Sequence, residues 1–156
     1  MRAVASKPSI RSLDAPDLDR IVEIDQEITG RSRRGFFAKR ITALGRHPDA
    51  FVALGVEADG TLAGFMLGQI LDGEFGGKHP VALLDAIALD RKIRERGLGH
   101  LLMEQFVETL RRRGVRELRS QANWDNHDLL HFFARNGFAL APRYIVERPA
   151  TIVDSF

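Results

Sequence analysis

The stretch from Val81 to Arg113 constrains this chain more than any other. Val81 to Leu89 is a long apolar run, interrupted only by Asp85, and reads as a buried strand. It passes through Asp90-Arg91-Lys92-Ile93-Arg94-Glu95-Arg96-Gly97 into the best helical pattern of the sequence, Leu98 to Arg113. There Leu98, Leu101, Leu102, Gln105, Phe106 and Leu110 form one face, and Gly114 ends the helix. A strand, a glycine-bearing loop and a helix N-terminus together aim main-chain N–H groups and a positive dipole end at an anion. A phosphate-bearing ligand is the natural occupant. Gly97 and Gly99 either let its oxygens approach the backbone or only form a tight turn. The dinucleotide fingerprint fails because its third glycine falls on Leu102, and the P-loop fails because Gly77-Lys78 is followed by His79.

The rest of the chain supplies a sheet and helices around this unit. Residues 1–8 read as a flexible tail and residues 9–156 as one domain, a size that 156 residues with 44% hydrophobic content supports. Ile10 to Leu13 is a short strand candidate. Asp14 and Pro16 open a helix with Leu18, Ile21, Val22 and Ile28 on its apolar stripe, Asp25 on the same stripe and Gly30 as its stop. Arg33 to Arg46 is a second helix. Ala50 to Ala58 and Thr61 to Leu71 form a hairpin through Asp59-Gly60, followed by a glycine-rich loop, Asp72 to Pro80. After the long helix come a strand at Val115 to Ala122, a helix at Asn126 to Asn136 capped by Gly137, and short strands at Phe138 to Leu140 and Tyr144 to Glu147. The expectation is an α/β fold with a mixed sheet of about seven strands and helices on both faces.

Several function classes drop out on composition. The absence of cysteine removes disulfides, thiolate metal sites and a cysteine nucleophile. His127 and His131 have helical i,i+4 spacing, but Asp128 stands where the metalloprotease pattern needs Glu, so no metal site is expected. A net charge of +2, with Glu104, Glu108 and Glu117 near Arg111, Arg112, Arg113, Arg116 and Arg119, argues against a nucleic-acid surface. No apolar run reaches the roughly 18 residues of a membrane span, so no membrane partner and a cytoplasmic protein are expected. The chain is compatible with a homodimer.

The string Leu84-Asp85-Ala86-Ile87-Ala88-Leu89-Asp90-Arg91-Lys92-Ile93-Arg94-Glu95-Arg96-Gly97-Leu98-Gly99-His100 resembles the acetyl-CoA motif of the GNAT superfamily of N-acetyltransferases. Asn126 through Phe133 to Gly137-Phe138 resembles the family's following helix, and the hairpin with Leu62-Ala63-Gly64-Phe65 its second and third strands. Together they cover roughly residues 9 to 148.

The resemblance implies a GNAT-like sheet, mainly antiparallel and split between its fourth and fifth strands, and acetyl-CoA as cosubstrate. N–H groups of Glu95, Arg96, Gly97, Leu98, Gly99 and His100 would cradle the pyrophosphate, helped by Arg94. Along Ile87-Ala88-Leu89, main-chain groups of Ile87 and Leu89 would pair with the pantetheine arm, and an N–H near Leu89 would polarise the thioester. Asn126 either bonds that arm or only caps its helix. The implied reaction is direct acetyl transfer to an amine within a ternary complex. A primary ammonium of pKa about 10.4 is only about one part in a thousand neutral near pH 7.4, so a base is needed. Asp85, placed by strand alternation on the face of Ile87 and Leu89, is the first candidate, and a structural acid paired with an arginine is its alternative. Glu74 is second and Asp25 third. The family's thiolate-protonating tyrosine falls on Phe133, which leaves that position as coenzyme wall; Tyr144, His131 or water would protonate the thiolate instead. Alternatively the chain is a non-catalytic acyl-CoA sensor. The acceptor walls implied are Thr29 to Phe37, where Arg31, Arg33 and Arg34 suit an anionic acceptor or only a solvated face, and Asp72 to Pro80.

Overall fold

The computed structural model describes residues 7–92 and 97–151. The chain divides after Gln121 into two compact units. The first holds β1 (Ser9–Ser12), α1 (Leu18–Thr29), α2 (Arg34–Arg46), β2 (Phe51–Ala58), β3 (Thr61–Leu71), β4 (Val81–Leu89), α3 (Leu98–Arg112) and β5 (Glu117–Arg119); the second holds α4 (His127–Arg135).

Local chemistry explains the boundaries. Asp14 and Asp17 cap each other's backbone ahead of α1, with Pro16 between them. Gly30, at φ 76°, ends α1 by donating to the Gln26 carbonyl at 2.9 Å. Asp59 and Gly60 both take positive φ, which makes the tight β2–β3 turn.

The sheet order is β1-β2-β3-β4-β5, antiparallel through β4 and parallel between β4 and β5. On one face Ile21, Val22 and Ile24 of α1 and Phe37 of α2 bury Ala53, Phe65, Leu67, Ala86 and Ala88, with Phe37 edge-on to Phe65 at 5.4 Å. A fully buried phenylalanine contributes about 2–3 kcal/mol through its apolar surface. Helix α3 covers the other face, where Gly68 admits Phe106. A Cβ at position 68 would lie 2.9 Å from both the Phe106 ring and the Leu83 carbonyl.

Two sequence expectations fail here. Among the described residues the sheet has five strands rather than about seven, because Phe138 to Leu140 and Tyr144 to Glu147 make no ladder. A strand exists through pairing, and β propensity over three or four residues, interrupted by Pro142, does not supply it. The Val115 to Ala122 strand shrinks to Glu117–Arg119, paired with Val81, Ala82 and Leu83 only.

The β3–β4 register also slips. Leu67 faces Ala86 but Gly68 faces Leu84, so Asp85 is the extra residue of a bulge in β4. The slip changes which side of the sheet Asp85 serves.

Candidate active site

The far end of β4 is fixed by one main-chain bond, from Asp90 N–H to the Ala63 carbonyl of β3 at 2.7 Å. Backbone groups alternate along a strand, so those of Ala88 and Ala86 also turn toward β3. Those of Ile87 and Leu89 turn to the opposite edge, beyond the three residue pairs of the β4–β5 ladder. Before that point Ser120 Oγ donates to the Leu84 carbonyl at 2.8 Å. The Leu89 side chain lies over Gly64, where any Cβ would meet it.

Asp90 then anchors the start of the loop. Its carboxylate accepts from Arg20 Nη2 of α1 at 2.8 Å and from the Lys92 N–H at 3.0 Å, while Arg20 Nε donates to the Leu62 carbonyl at 2.9 Å. The Lys92 N–H and then Arg20 hold Asp90 below the usual carboxylate range, burial opposing them. Arg94, Glu95 and Arg96, expected at the pyrophosphate, lie outside the described residues. Gly97 resumes the chain at φ 71° as the N-cap of α3, and a glycine has no side chain with which to cap it. The first bond back to it comes from Leu101 N–H at 3.2 Å, so the N–H groups of Leu98 and Gly99 precede the intrahelical ladder. Leu98 and Gly99 are buried and His100 is exposed.

Asp85 sits in a cluster of charges and rings on the α1/α2 face. Arg40 Nη2 of α2 is 2.6 Å from Asp85 Oδ2, and Gln69 Nε2 approaches the same oxygen at 3.4 Å. Asp85 Oδ1 and Arg40 Nε are buried with no hydrogen-bond partner. Burial raises the Asp85 pKa, against the attraction of Arg40 and, further off, Arg33. The Arg40 guanidinium lies 5.1 Å from the Phe36 ring, and Arg33 stacks on Phe36 and Phe37 at 5.3 and 5.2 Å. Arg33 in turn grips Asp25 through Nε and Nη2, at 2.9 and 2.5 Å, and Asp25 raises the Arg33 pKa.

The expectation that Asp85 shares a face with Ile87 and Leu89 is therefore corrected. The bulge turns its carboxylate to the α1/α2 side, where Ala86 and Ala88 pack, while Ile87 lies opposite Met66 and Leu89 opposite Gly64. Sequence reading did not find Arg40, Gln69 or the Arg20–Asp90 pair. Arg33 and Arg40 are one heptad apart with Phe36 and Phe37 between them, a helical-face signal that points to the cluster.

The remaining candidates differ in burial and partners. Asp25 is only 2% exposed and bound to Arg33. Glu74 is exposed in a one-turn 3-10 helix after β3, next to a fully exposed Phe75 at φ 52°. In the second unit the Asn126 side chain caps α4 by accepting from Leu129 N–H at 3.3 Å. Phe133 is buried against Phe138 at 4.8 Å, whereas Tyr144 is 95% exposed. Arg34 pairs with Asp19 at 2.8 Å, and Arg111 and Arg112 pair with Glu108, so these cations do not stand alone.

Among the described residues no helix is long and apolar enough to cross a membrane. No curated protein sequence matches the chain. Solved structures do. The aminoglycoside acetyltransferase AAC(6')-Iy with CoA superposes at a TM-score of 0.77 with 18% identity, over 97% of this chain and 99% of that one. Glucosamine-6-phosphate N-acetyltransferase from Arabidopsis thaliana gives 0.71 and 17%, over 92% and 99%. Ribosomal-protein-alanine N-acetyltransferase from Brucella melitensis gives 0.73 and 18%, over 92% and 100%. At these identities the likeness is one of fold. The model of the acetyltransferase (GNAT) family matches residues 15–138, and with the strand-to-helix turn at Gly97 it settles the family: the chain is a GNAT acetyltransferase.

Proposed function

We propose that this protein transfers an acetyl group from acetyl-CoA directly to a primary amine within a ternary complex. The observation that carries the reading is the juxtaposition at the end of β4. Main-chain groups of Ile87 and Leu89 face an edge beyond the short β5 ladder, and the chain then enters α3 at Gly97, an N-cap residue with no side chain of its own. Past Leu84 that edge takes the pantetheine arm as an added strand, so β4 and β5 part there. The N–H groups of Gly97, Leu98, Gly99 and His100, with those of Glu95 and Arg96 before them, would receive the pyrophosphate, helped by Arg94. Coenzyme complexes of AAC(6')-Iy support acetyl-CoA as the cosubstrate.

In the step itself the acceptor ammonium first gives one proton to Asp85, directly or through water. The freed lone pair forms the N–C bond at the thioester carbonyl, whose oxygen takes negative charge beside the Leu89 N–H. Collapse breaks the C–S bond. The second amine proton goes to the departing thiolate, and because Phe133 has no hydroxyl, solvent carries it. Exposed Glu74 is the alternative base, and Asp25, fully bound by Arg33, is the least suited. Exposed Tyr144 is the alternative proton donor.

Acetyl-CoA titration by calorimetry and CoA release with sisomicin, glucosamine 6-phosphate and an N-terminal alanine peptide test this reading. Binding with turnover of one amine supports it; absence of binding overturns it. Gly97→Asp should weaken binding at least tenfold, since it puts a carboxylate where the diphosphate sits. A second reading, an acyl-CoA sensor, is favoured by Phe133, a ring without a proton to give at the position where the family resemblance implies a tyrosine. Tight binding with no turnover, unchanged in Asp85→Asn, would select it.

A further inference from the structure

The cluster joining α1, α2 and β4 contains more than a base needs. Both side-chain donors reaching Asp85 converge on one oxygen, Arg40 at 2.6 Å and Gln69 at 3.4 Å on Oδ2. Oδ1 is left buried and unpartnered. A buried acceptor in that condition is rare in a folded protein and asks for a reason. The guanidinium producing the asymmetry is itself held. It stacks on Phe36, which shares its ring with Arg33, and Arg33 is locked to Asp25 of α1. The sequence Asp25–Arg33–Phe36–Arg40–Asp85 is thus a continuous physical chain from the first helix to the bulge in β4.

We propose that Arg40 is a positioning residue for Asp85: by occupying Oδ2 it fixes the carboxylate so that Oδ1 is the oxygen that receives the acceptor's proton. The inference rests on the reading of Asp85 as base. The bulge gives it a geometric basis, because the extra residue turns the carboxylate toward α2, where a guanidinium meets it. The groups facing Asp85 are Arg40 of α2 and Arg33 at its N-cap, with Asp25 of α1 behind Arg33, and the neutral Gln69 from β3. Arg40 also keeps the carboxylate charged against burial, so its loss moves the ionisation of Asp85 to higher pH. Lysine keeps the charge but not the planar fork on Phe36, so Arg40→Lys should fall between wild type and Arg40→Gln.

Carbon-detected NMR of the full chain labelled with 13C-aspartate reads Asp85 directly, its signal identified by its loss in Asp85→Asn. In Arg40→Gln the Asp85 midpoint should rise by about one pH unit or more, and Phe36→Leu, which loosens Arg40 without removing it, should raise it less. With the amine that turns over, the acidic limb of kcat/KM should rise in parallel, recovering to within a few-fold at high pH. An Asp85 midpoint unmoved in Arg40→Gln overturns the proposal, as does activity lost equally at every pH. If Arg40→Gln does not fold, Arg40→Lys and Phe36→Leu carry the same measurement. Full turnover in Asp85→Asn would instead refute the base assignment, whatever Arg40 does.

Discussion

Asp85 and Asp90 lie on one strand and its exit, each within 3 Å of an arginine, yet their ionisation moves in opposite directions. Asp90 accepts from a backbone N–H as well as from Arg20, and these bonds outweigh its burial. Asp85 has one strong side-chain partner, one weak one and an oxygen that no side chain meets, and burial prevails over Arg40, its own N–H and Arg33. An ion pair by itself does not fix a carboxylate's state. What decides is how many of its lone pairs are met once water is removed. Asp90 is built as an anchor, and Asp85 is left able to accept a proton.

The largest expected effect separates these roles by activity. Asp85→Asn should lower turnover about 100-fold or more, in the range of a lost general base. Asp90→Asn should stay within a few-fold in kcat, because Asn can still accept from Lys92 N–H. CoA-release kinetics on both variants would erase the contrast if Asp90→Asn lost as much as Asp85→Asn.

Stability should reverse the ranking. Asp90→Ala strands Arg20 and the Lys92 N–H and should cost about 2 kcal/mol at pH 7 in urea unfolding. Asp85→Asn removes an acid whose charge burial disfavours, so it should cost less than that. Equal costs would mean that Arg40 compensates Asp85 in full.

Acid titration sharpens the same point by sign. The lowered pKa of Asp90 adds stability at neutral pH that disappears as pH falls from the ordinary carboxylate value through the depressed one. The raised pKa of Asp85 works the other way: the folded state takes up the proton first, so stability is gained as pH falls through the raised value toward the ordinary one. Relative to wild type, Asp90→Asn should therefore improve on acidification and Asp85→Asn should worsen. Parallel slopes would break the comparison.

The smallest effect concerns the anchor. Arg20→Gln should raise KM for acetyl-CoA a few-fold with kcat within about twofold, since Arg20 ties the loop's first residue to α1 without touching the reacting atoms. A kcat loss of tenfold would place Arg20 in the chemistry instead.

Much of this was readable from the sequence where one local signal sufficed. The Asp59-Gly60 hairpin, the bounds of β3 and β4 and the start of α3 each rest on a turn dipeptide or an unbroken period. The start of α3 at Gly97 was readable because a strand, a glycine and a helical pattern follow one another there. The orientation of Asp85 was not, since an inserted residue leaves no mark in composition and alternation assumes that none exists. Arg40 was hidden for a related reason: its partner is 45 positions away, and an arginine on a helix usually faces water. The C-terminal strands were over-read from β propensity alone.

The contact between Gly68 and Phe106 makes a fulcrum of the sheet's centre. Helix α3 is a stiff rod, and from Phe106 back to Leu98 it extends about 12 Å. A methyl group added at position 68 would push that rod off its seat, and a small tilt there would swing the far tip by a larger amount. One missing side chain in the middle of β3 thus calibrates where the helix tip stands.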